Sequence, residues 1–375
     1  MRPELRPELR PELRPETEAE LSEALLSAGP LVIRGGGTRG FGRAAGAVLQ
    51  TGGLAGVQLY EPGALTLVVR AGTGLAEVDA VLAGERQRLA FEVPDYRALL
   101  ARQGQSTIGG VVAANASGPR RVQVGGARDA LLGVRFVDGA GTIIKNGGRV
   151  MKNVTGYDLV KLVAGSHGVL GVLSEVSLKV QAVPEAEASL LLSVEESTVA
   201  VGVMSRALGS PYDVSGAGHL AIGARRQTLL RVEGMAGSVR YRIGALQDMF
   251  GGEVIDASES AHLWREIRDV LPFAAEPGAV WRVGVKPTTA ASIAGSGPAV
   301  YDWGGGLLWL LLPDTVAAGQ ALRDRVGALG GHATMMRGQA DIAAFQPERA
   351  AVAALSAGLR AKFDPRGIFN RGMTS

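Results

Sequence analysis

The chain contains no cysteine among its 375 residues. Disulfides, Cys-ligated zinc, cysteine-held iron–sulfur clusters and a cysteine nucleophile are thereby excluded. Aromatic residues make up only 5%, a poor supply for a surface that stacks bases of single-stranded nucleic acid. Charge of one sign is also scarce. Against 36 acidic residues stand 39 basic ones, a net +3 that gives no nucleic-acid footprint. The longest apolar run, Gly304 to Leu312, falls far short of the ~20 residues that span a bilayer. No basic-then-apolar leader opens the chain. The expectation is a soluble cytoplasmic protein that meets a membrane, if at all, through partner subunits and inserts nothing of its own.

Glycine is abundant, 54 of 375 residues, about twice the usual ~7%. Apolar residues reach 46%, enough for full-sized cores, and the length suggests two or three domains. The chain opens on three RPEL repeats and a final RPE. Proline at every fourth position removes amide donors and disfavours helix, so residues 1–16 read as a disordered lead-in. Residues 17–183 alternate short apolar runs with glycine clusters. Strands are expected at Leu31–Ile33, Val48–Thr51 and Leu65–Val69, a helix at Leu75–Leu82, and a hairpin from Leu132–Val137 to Thr142–Lys145. Pro184, Glu185 and Glu187 mark a linker. Residues 184–338 then read as a second α+β unit, with strands at 189–194, 228–233, 280–285 and 306–312. Helices at 196–207, 236–250 and 315–329 separate them. That alternation suggests a sheet covered on one side. A last helix at 347–362 leads into the tail, and residues 339–375 are expected to return to the first domain.

The loop Gly35-Gly36-Gly37-Thr38-Arg39-Gly40 follows a strand and fits G-x-G-x-x-G. It is not a Rossmann fingerprint. It should open a helix, but a second strand follows, and no acid sits ~20 residues on to hold a ribose. The loop chemistry remains. Consecutive glycines let amides converge into a nest for anionic oxygens, and Thr38 and Arg39 add a hydroxyl and a cation. A pyrophosphate is the natural guest. A second small-residue region runs from Thr107-Ile108-Gly109-Gly110 through Asn115-Ala116-Ser117-Gly118. Its backbone can approach a flat ring closely, or simply pack a helix on a sheet. Between Gly118 and Lys161 there are eight Arg or Lys and three Asp, a surplus suited to an anionic guest.

The GGGT loop, the TIGG and AANASG segments, the run GRVMKNVTGYDLVKLVAGS and GVLGVLSEV occur in this order. This order resembles the p-cresol methylhydroxylase/vanillyl-alcohol oxidase type of FAD-binding domain. Within it, the chain is most similar to the FAD-binding subunits of bacterial glycolate oxidases. Phe363 to Asn370 resembles the family's closing segment. The resemblance implies an α+β fold: an FAD domain of two α+β subdomains over 17–183, then a smaller ferredoxin-like cap. It implies that Arg34, Gly35, Gly36, Gly37, Thr38, Arg39 and Gly40 take the pyrophosphate. Thr107, Ile108, Gly109, Gly110, Asn115, Ser117 and Gly118 would lie along the pyrophosphate and isoalloxazine. Gly171, Val172 and Leu173 would give backbone groups to the adenine or flavin. It implies FAD as cofactor, a larger FAD-containing catalytic subunit and an iron–sulfur subunit as partners, and glycolate, a small 2-hydroxy acid, as substrate.

The tail reads Asn370-Arg371-Gly372-Met373 where Asn-Pro-Gly-Arg is usual, and His167 stands where related large subunits have Glu. The four histidines are widely separated, so no metal site is expected. No catalytic residue is assigned. His332 is the candidate base only if the chain acts alone, against the reading of a surface-loop histidine. With no His, Cys or Tyr in the glycine loop, the FAD is expected to be non-covalent. Two alternatives stay open: a self-sufficient dehydrogenase of another 2-hydroxy acid, and an assembly subunit with an idle flavin site.

Overall fold

The computed structural model describes residues 12–40, 42, 44–149 and 156–373. The RPEL repeats up to Pro11 and the 150–155 stretch of the GRVMKNVTGYDL run lie outside the described residues. Three sheets organise the rest. In the first, β1 (Glu12–Leu13) and β2 (Leu31–Arg34) flank β3 (Ala47–Gln50), all parallel. The lead-in expected to be disordered through Glu16 therefore ends in a short strand. Leu13 supplies the reason, because it packs on a small core with Leu21 and Leu25 of α1 (Glu18–Ser27).

The second sheet holds β4 (Val57–Glu61), β5 (Thr66–Arg70), β6 (Gln87–Leu89), β7 (Leu131–Val137), β8 (Ile143–Gly147) and β9 (Val172–Ala182). Its order is β4-β5-β9-β7-β8, with β6 paired to the far end of β9. Strand β9 is central and buried along most of its length, although Ser174, Glu175, Ser177, Lys179 and Gln181 interrupt its apolar residues. The helices α2 (Leu75–Ala83), α4 (Ile108–Ala113), α6 (Ala127–Ala130) and α7 (Leu159–Val163) pack on it. Two short helices, α3 (Arg97–Leu100) and α5 (Arg121–Val124), face the other half of the molecule.

The third sheet has eight strands: β10 (Ala186–Ser193), β11 (Val214–Ile222), β12 (Arg225–Gly234), β13 (Glu253–Ile255), β14 (Ala279–Gly284), β15 (Ala299–Asp302), β16 (Leu307–Leu312) and β17 (His332–Arg337). The order β13-β10-β12-β11-β15-β16-β14-β17 resolves into two β-α-β-β-α-β halves joined edge to edge through β11 and β15. Each half has ferredoxin-like strand order. The helices are α8 (Ser197–Leu208) and α9 (Ala236–Phe250) in the first half, and α11 (Pro287–Ala294) and α12 (Val316–Ala328) in the second. Between the halves runs α10 (Ala257–Asp269).

The expectation of a sheet covered on one side is corrected. Helices α8, α9, α11 and α12 cover one face. On the other, α10 packs with Tyr96 and Leu99 from the first half of the chain. Both faces of these strands are apolar, so both must be covered. Four strands and two helices were not anticipated from sequence. In β11 the obstacle is Gly216 and Gly218. A Cβ on Gly216 would stand 2.8 Å from the Trp264 ring, and one on Gly218 2.9 Å from Ile267. The strand is small so that α10 can sit on it.

The final helix α13 (Ala350–Phe363) leads to residues 364–370, which lie along β2. Asp364 accepts from the amides of Ile368 and Phe369 at 2.9 and 2.8 Å, turning the chain into that position.

Candidate functional site

A cavity of about 660 Å³ opens at the C-terminal end of β2, within the ~300–1,000 Å³ range of small-molecule sites. Loop 35–40 forms one wall. Residues 101–103, the start of α4, the 166–168 turn and the start of β9 form the others, and Asn370 closes the end.

Glycine is required in this wall because two loops nearly touch. A Cβ on Gly36 would fall 1.5 Å from the Gln105 carbonyl oxygen, and one on Gly35 2.3 Å from Thr107 Oγ1. Gly37 adopts φ +70°, the left-handed region that favours glycine. The loop is held by its two polar side chains. Thr38 Oγ1 lies 2.8 Å from Ser106 Oγ, and Arg39 donates to Ser106 Oγ at 2.5 Å and to the Pro94 carbonyl at 2.6 Å. Burial lowers the pKa of Arg39 from its ordinary value, and its Nε is buried with no hydrogen-bond partner among the described residues.

The amides tell more. Among the described residues, none of the backbone N–H groups from Gly35 to Gly40 donates to another group of the chain. Backbone donors are rarely left unmade. A row of them facing one cavity beside a guanidinium suits anionic oxygens.

The structure brings Arg34, Gly35, Gly36, Gly37, Thr38, Arg39, Gly40, Thr107, Gly109, Gly110, Gly171 and Leu173 together around the cavity. Five expected residues stand behind it. Ile108 and Val172 are fully buried in the cores. Asn115 sits at φ +45° and accepts from the Arg128 amide at 2.9 Å. Ser117 accepts from the Ala127 amide at 2.9 Å. Gly118 donates to the Glu92 carbonyl and accepts from Trp303 Nε1 at 3.0 Å. These three are consumed in turning the chain from α4 to α5, so they support the wall rather than line it. Gly171 owes its identity partly to packing, since a Cβ there would meet the Phe136 ring at 2.7 Å.

Sequence reasoning missed residues 101–103, His167 and Asn370. His167 lines the cavity at φ +52°, donates its amide to the Ala113 carbonyl, and meets Phe345 edge-on at 5.2 Å. Burial, helped by Arg282, lowers its pKa to about 4, so the ring is neutral at pH 7. Asn370 accepts from the Ile33 amide and donates to the His167 carbonyl, both at 2.8 Å, tying tail, β2 and the 166–168 turn together. The signal was the resemblance of the closing segment, discounted because the next three residues depart from it. His332 is exposed at the start of β17 and does not line the cavity, which removes it as the candidate base there. Among the described residues there is no group of three or more His, Asp or Glu placed to hold a metal ion.

Beside the cavity, the first half of the chain meets the eight-stranded sheet through buried ion pairs. Arg120 donates to both oxygens of Glu233 at 3.0 and 3.1 Å, and Arg88 adds a third bond at 2.8 Å. Arg231 grips Glu92 at 2.9 and 3.2 Å while lying 4.7 Å over Trp264. Burial pushes Glu233 up, but Arg231 and Arg120 outweigh it and hold the carboxyl at about 2.

Comparison with known proteins places this geometry. Residues 12–147 match the family described as "FAD binding domain". The chain is 36% identical to the glycolate oxidase subunit GlcE of Escherichia coli (strain K12), across 94% of this chain and 95% of that one. It is 34% identical to the glycolate oxidase subunit GlcD of Bacillus subtilis (strain 168), over 47% of this chain and 37% of that one. The fold matches a solved alkyldihydroxyacetonephosphate synthase with a TM-score of 0.69, at 15% identity, covering 96% of this chain and 76% of the other. No helix among the described residues is long and apolar enough to cross a membrane. With identity of that order running through nearly the whole of both chains, the protein belongs to the family of the glycolate oxidase subunit GlcE, an FAD-linked oxidoreductase carrying an FAD-binding domain of the vanillyl-alcohol oxidase type.

Proposed function

We propose that this chain is the FAD-binding subunit of a glycolate oxidase complex, which oxidises glycolate to glyoxylate with a larger flavin subunit and an iron–sulfur subunit. The end-to-end likeness to GlcE carries the reading. The residues around the cavity fit the cofactor. The amides of Gly35 to Gly40, which donate to no group among the described residues, and the Arg39 guanidinium would hold the pyrophosphate. The Gly109–Gly110 backbone and Leu173 would border the rings. FAD, when bound, supplies the redox chemistry that no side chain of this protein can.

The chain's own residues exclude and orient. Thr38 and Ser106 fix the loop, Asn370 fixes the 166–168 turn, and the neutral His167 presents an uncharged polar edge to the cavity. Without cysteine, this chain cannot ligate an iron–sulfur cluster through thiolates, so in this reading the cluster belongs to a partner. The protein works in the cytoplasm, and the FAD is held non-covalently.

The test is an absorption spectrum of the purified chain before and after denaturation. Flavin bands are expected, with the flavin free in solution after precipitation, which also eliminates His167 as a covalent anchor. Added glycolate should bleach the co-expressed complex and leave the isolated chain unchanged. Turnover by the isolated chain would instead make it a self-sufficient dehydrogenase. A colourless chain that takes up no FAD would sink the flavoprotein reading.

A further inference from the structure

The helix α13 shows water the side it would be expected to bury. Ten of its 14 residues are Ala, Val, Leu or Phe, and only Arg360 and Lys362 are charged. An amphipathic helix turns its apolar stripe inward and its polar residues outward. Here no residue is fully buried. The half-buried positions, spaced i, i+3, i+7 and i+10, are Ala353, Ser356, Arg360 and Phe363. Val352, Leu355 and Leu359 are 48%, 71% and 39% exposed, and Ala351, Ala354 and Gly358 lie exposed beside them. The helix is nonetheless anchored. Ser356 donates to Glu348 at 2.9 Å, and the Asp364 amide donates to the Arg360 carbonyl at 2.7 Å. The Gly139 amide donates to the Phe363 carbonyl at 2.7 Å, and the Phe363 ring packs on the core of the second sheet, 6.0 Å from Phe136. A fixed apolar face rimmed by polar residues marks an interaction surface.

Charge and size narrow what covers it. Arg349 precedes the helix, and Arg360 and Lys362 stand in its last turn; none forms an ion pair among the described residues. Glu348 alone offsets them, so the rim is net positive. A second copy of the chain would bring like charge against like charge. A helix of 14 residues is also only about 21 Å long. Two copies meeting helix to helix would bury far less than the ~800 Å² per partner of a standard interface. A larger partner can reach past the helix end, where Leu26 of α1 stands 59% exposed beside Gly141. A lipid surface fits poorly. Interfacial helices carry aromatic anchors and a strongly cationic face, whereas the one aromatic of α13, Phe363, packs inward.

We infer that α13 is a docking helix for another protein subunit, which meets Val352, Leu355 and Leu359 with an apolar face edged by carboxylates. That this subunit belongs to the glycolate oxidase complex rests on the function proposed above; the uncovered helix does not.

The experiment is co-expression of the full chain with the larger flavin subunit and the iron–sulfur subunit, read by size-exclusion chromatography. The wild-type chain should co-elute with them. Leu355→Glu should cut the recovered complex at least tenfold, while the isolated variant keeps its melting temperature and flavin content. Leu355→Met should assemble like wild type. Val352→Glu is the second variant should Leu355→Glu fail to fold. Lys362→Glu should weaken assembly less, and most at low salt. Assembly of both glutamate variants at wild-type yield would overturn the inference. So would an isolated wild-type dimer that Leu355→Glu makes monomeric, which assigns the helix to a second copy. Sedimentation of the wild-type chain with phosphatidylglycerol vesicles, lost in Leu355→Glu, would assign it to a membrane instead. The two failures are distinguishable: a complex that survives both glutamate variants sinks this surface alone, and a wild-type chain that joins neither subunit sinks the complex reading with it.

Discussion

The cavity wall and the contact between the two halves are built from opposite materials. The wall is backbone: six consecutive residues from Gly35 to Gly40 whose amides donate to no group among the described residues, and glycines pressed against residues 105–107. The contact is side chain: Arg88, Arg120, Arg231, Glu92 and Glu233 pair with one another and are largely buried, with Arg88 Nε left without a partner among the described residues. An open row of donors suits a guest, whereas matched opposite charges hold two bodies together. A buried charge pair tolerates loss of one partner badly, because the other charge is then stranded. A backbone cradle tolerates loss of a side chain well but tolerates an added Cβ badly.

That difference is broken most sharply at Glu233. Glu233→Ala removes the acceptor for Arg88 and Arg120 and should cost about 3–5 kcal/mol of stability, read as a drop in the urea midpoint. FAD content at low temperature should hardly change in the fraction that remains folded. Gly36→Ala should do the reverse. Its methyl meets the Gln105 carbonyl, so the loops must part. The expected stability loss is about 1–3 kcal/mol, with flavin retention falling more than tenfold.

Acid should act at the cavity wall and in the core of the eight-stranded sheet, because each carries one histidine held at about 4, His167 in the first and His219 in the second. His219 in β11 bonds Thr228 through Nδ1, and its Nε2 is buried without a partner among the described residues. A folded-state pKa below the ordinary 6.5 means stability is full above pH 6.5 and is lost as pH falls through about 4. Each histidine contributes on the order of 3 kcal/mol to that loss. Asp302, raised to about 7, works against it, losing stability as pH rises toward 7. Two groups outweigh one, so the urea midpoint should fall between pH 6.5 and 4. Bound FAD should reduce the His167 share and leave the His219 share. Glu233, held at about 2, should contribute only below about pH 4.5. A midpoint that is flat from pH 6.5 to 4 would contradict this assignment.

The smallest effect is expected at Arg97. Its pair with Asp95, at 2.7 Å, is exposed at both ends, so Arg97→Ala should change stability by less than about 1 kcal/mol. A larger loss would mean that exposed and buried pairs in this protein do not differ as proposed.

Legibility followed the same division. The glycine loop, β2, β3, β5 and α2 were readable because glycine clusters and apolar runs are local in sequence. Asn115, Ser117 and Gly118 were read for their small size, but size cannot say whether a polar group faces a cavity or caps the next turn. His167 and Asn370 are 203 residues apart, and no local pattern joins them. The strands β11 and β15 were hidden for a packing reason, since β11 is glycine-rich where α10 presses on it and β15 is four residues long. The pairing of Glu92 with Arg231 was illegible altogether, because charge composition names the residues and only the fold selects the partners.

The most direct test of the backbone cradle is the ratio of FAD to protein in the purified chain and in Gly36→Ala after saturation with FAD and removal of excess. The cradle predicts about one FAD per wild-type chain and less than about one-tenth in the variant, both released on denaturation. Equal flavin in the two, or none in either, would contradict it.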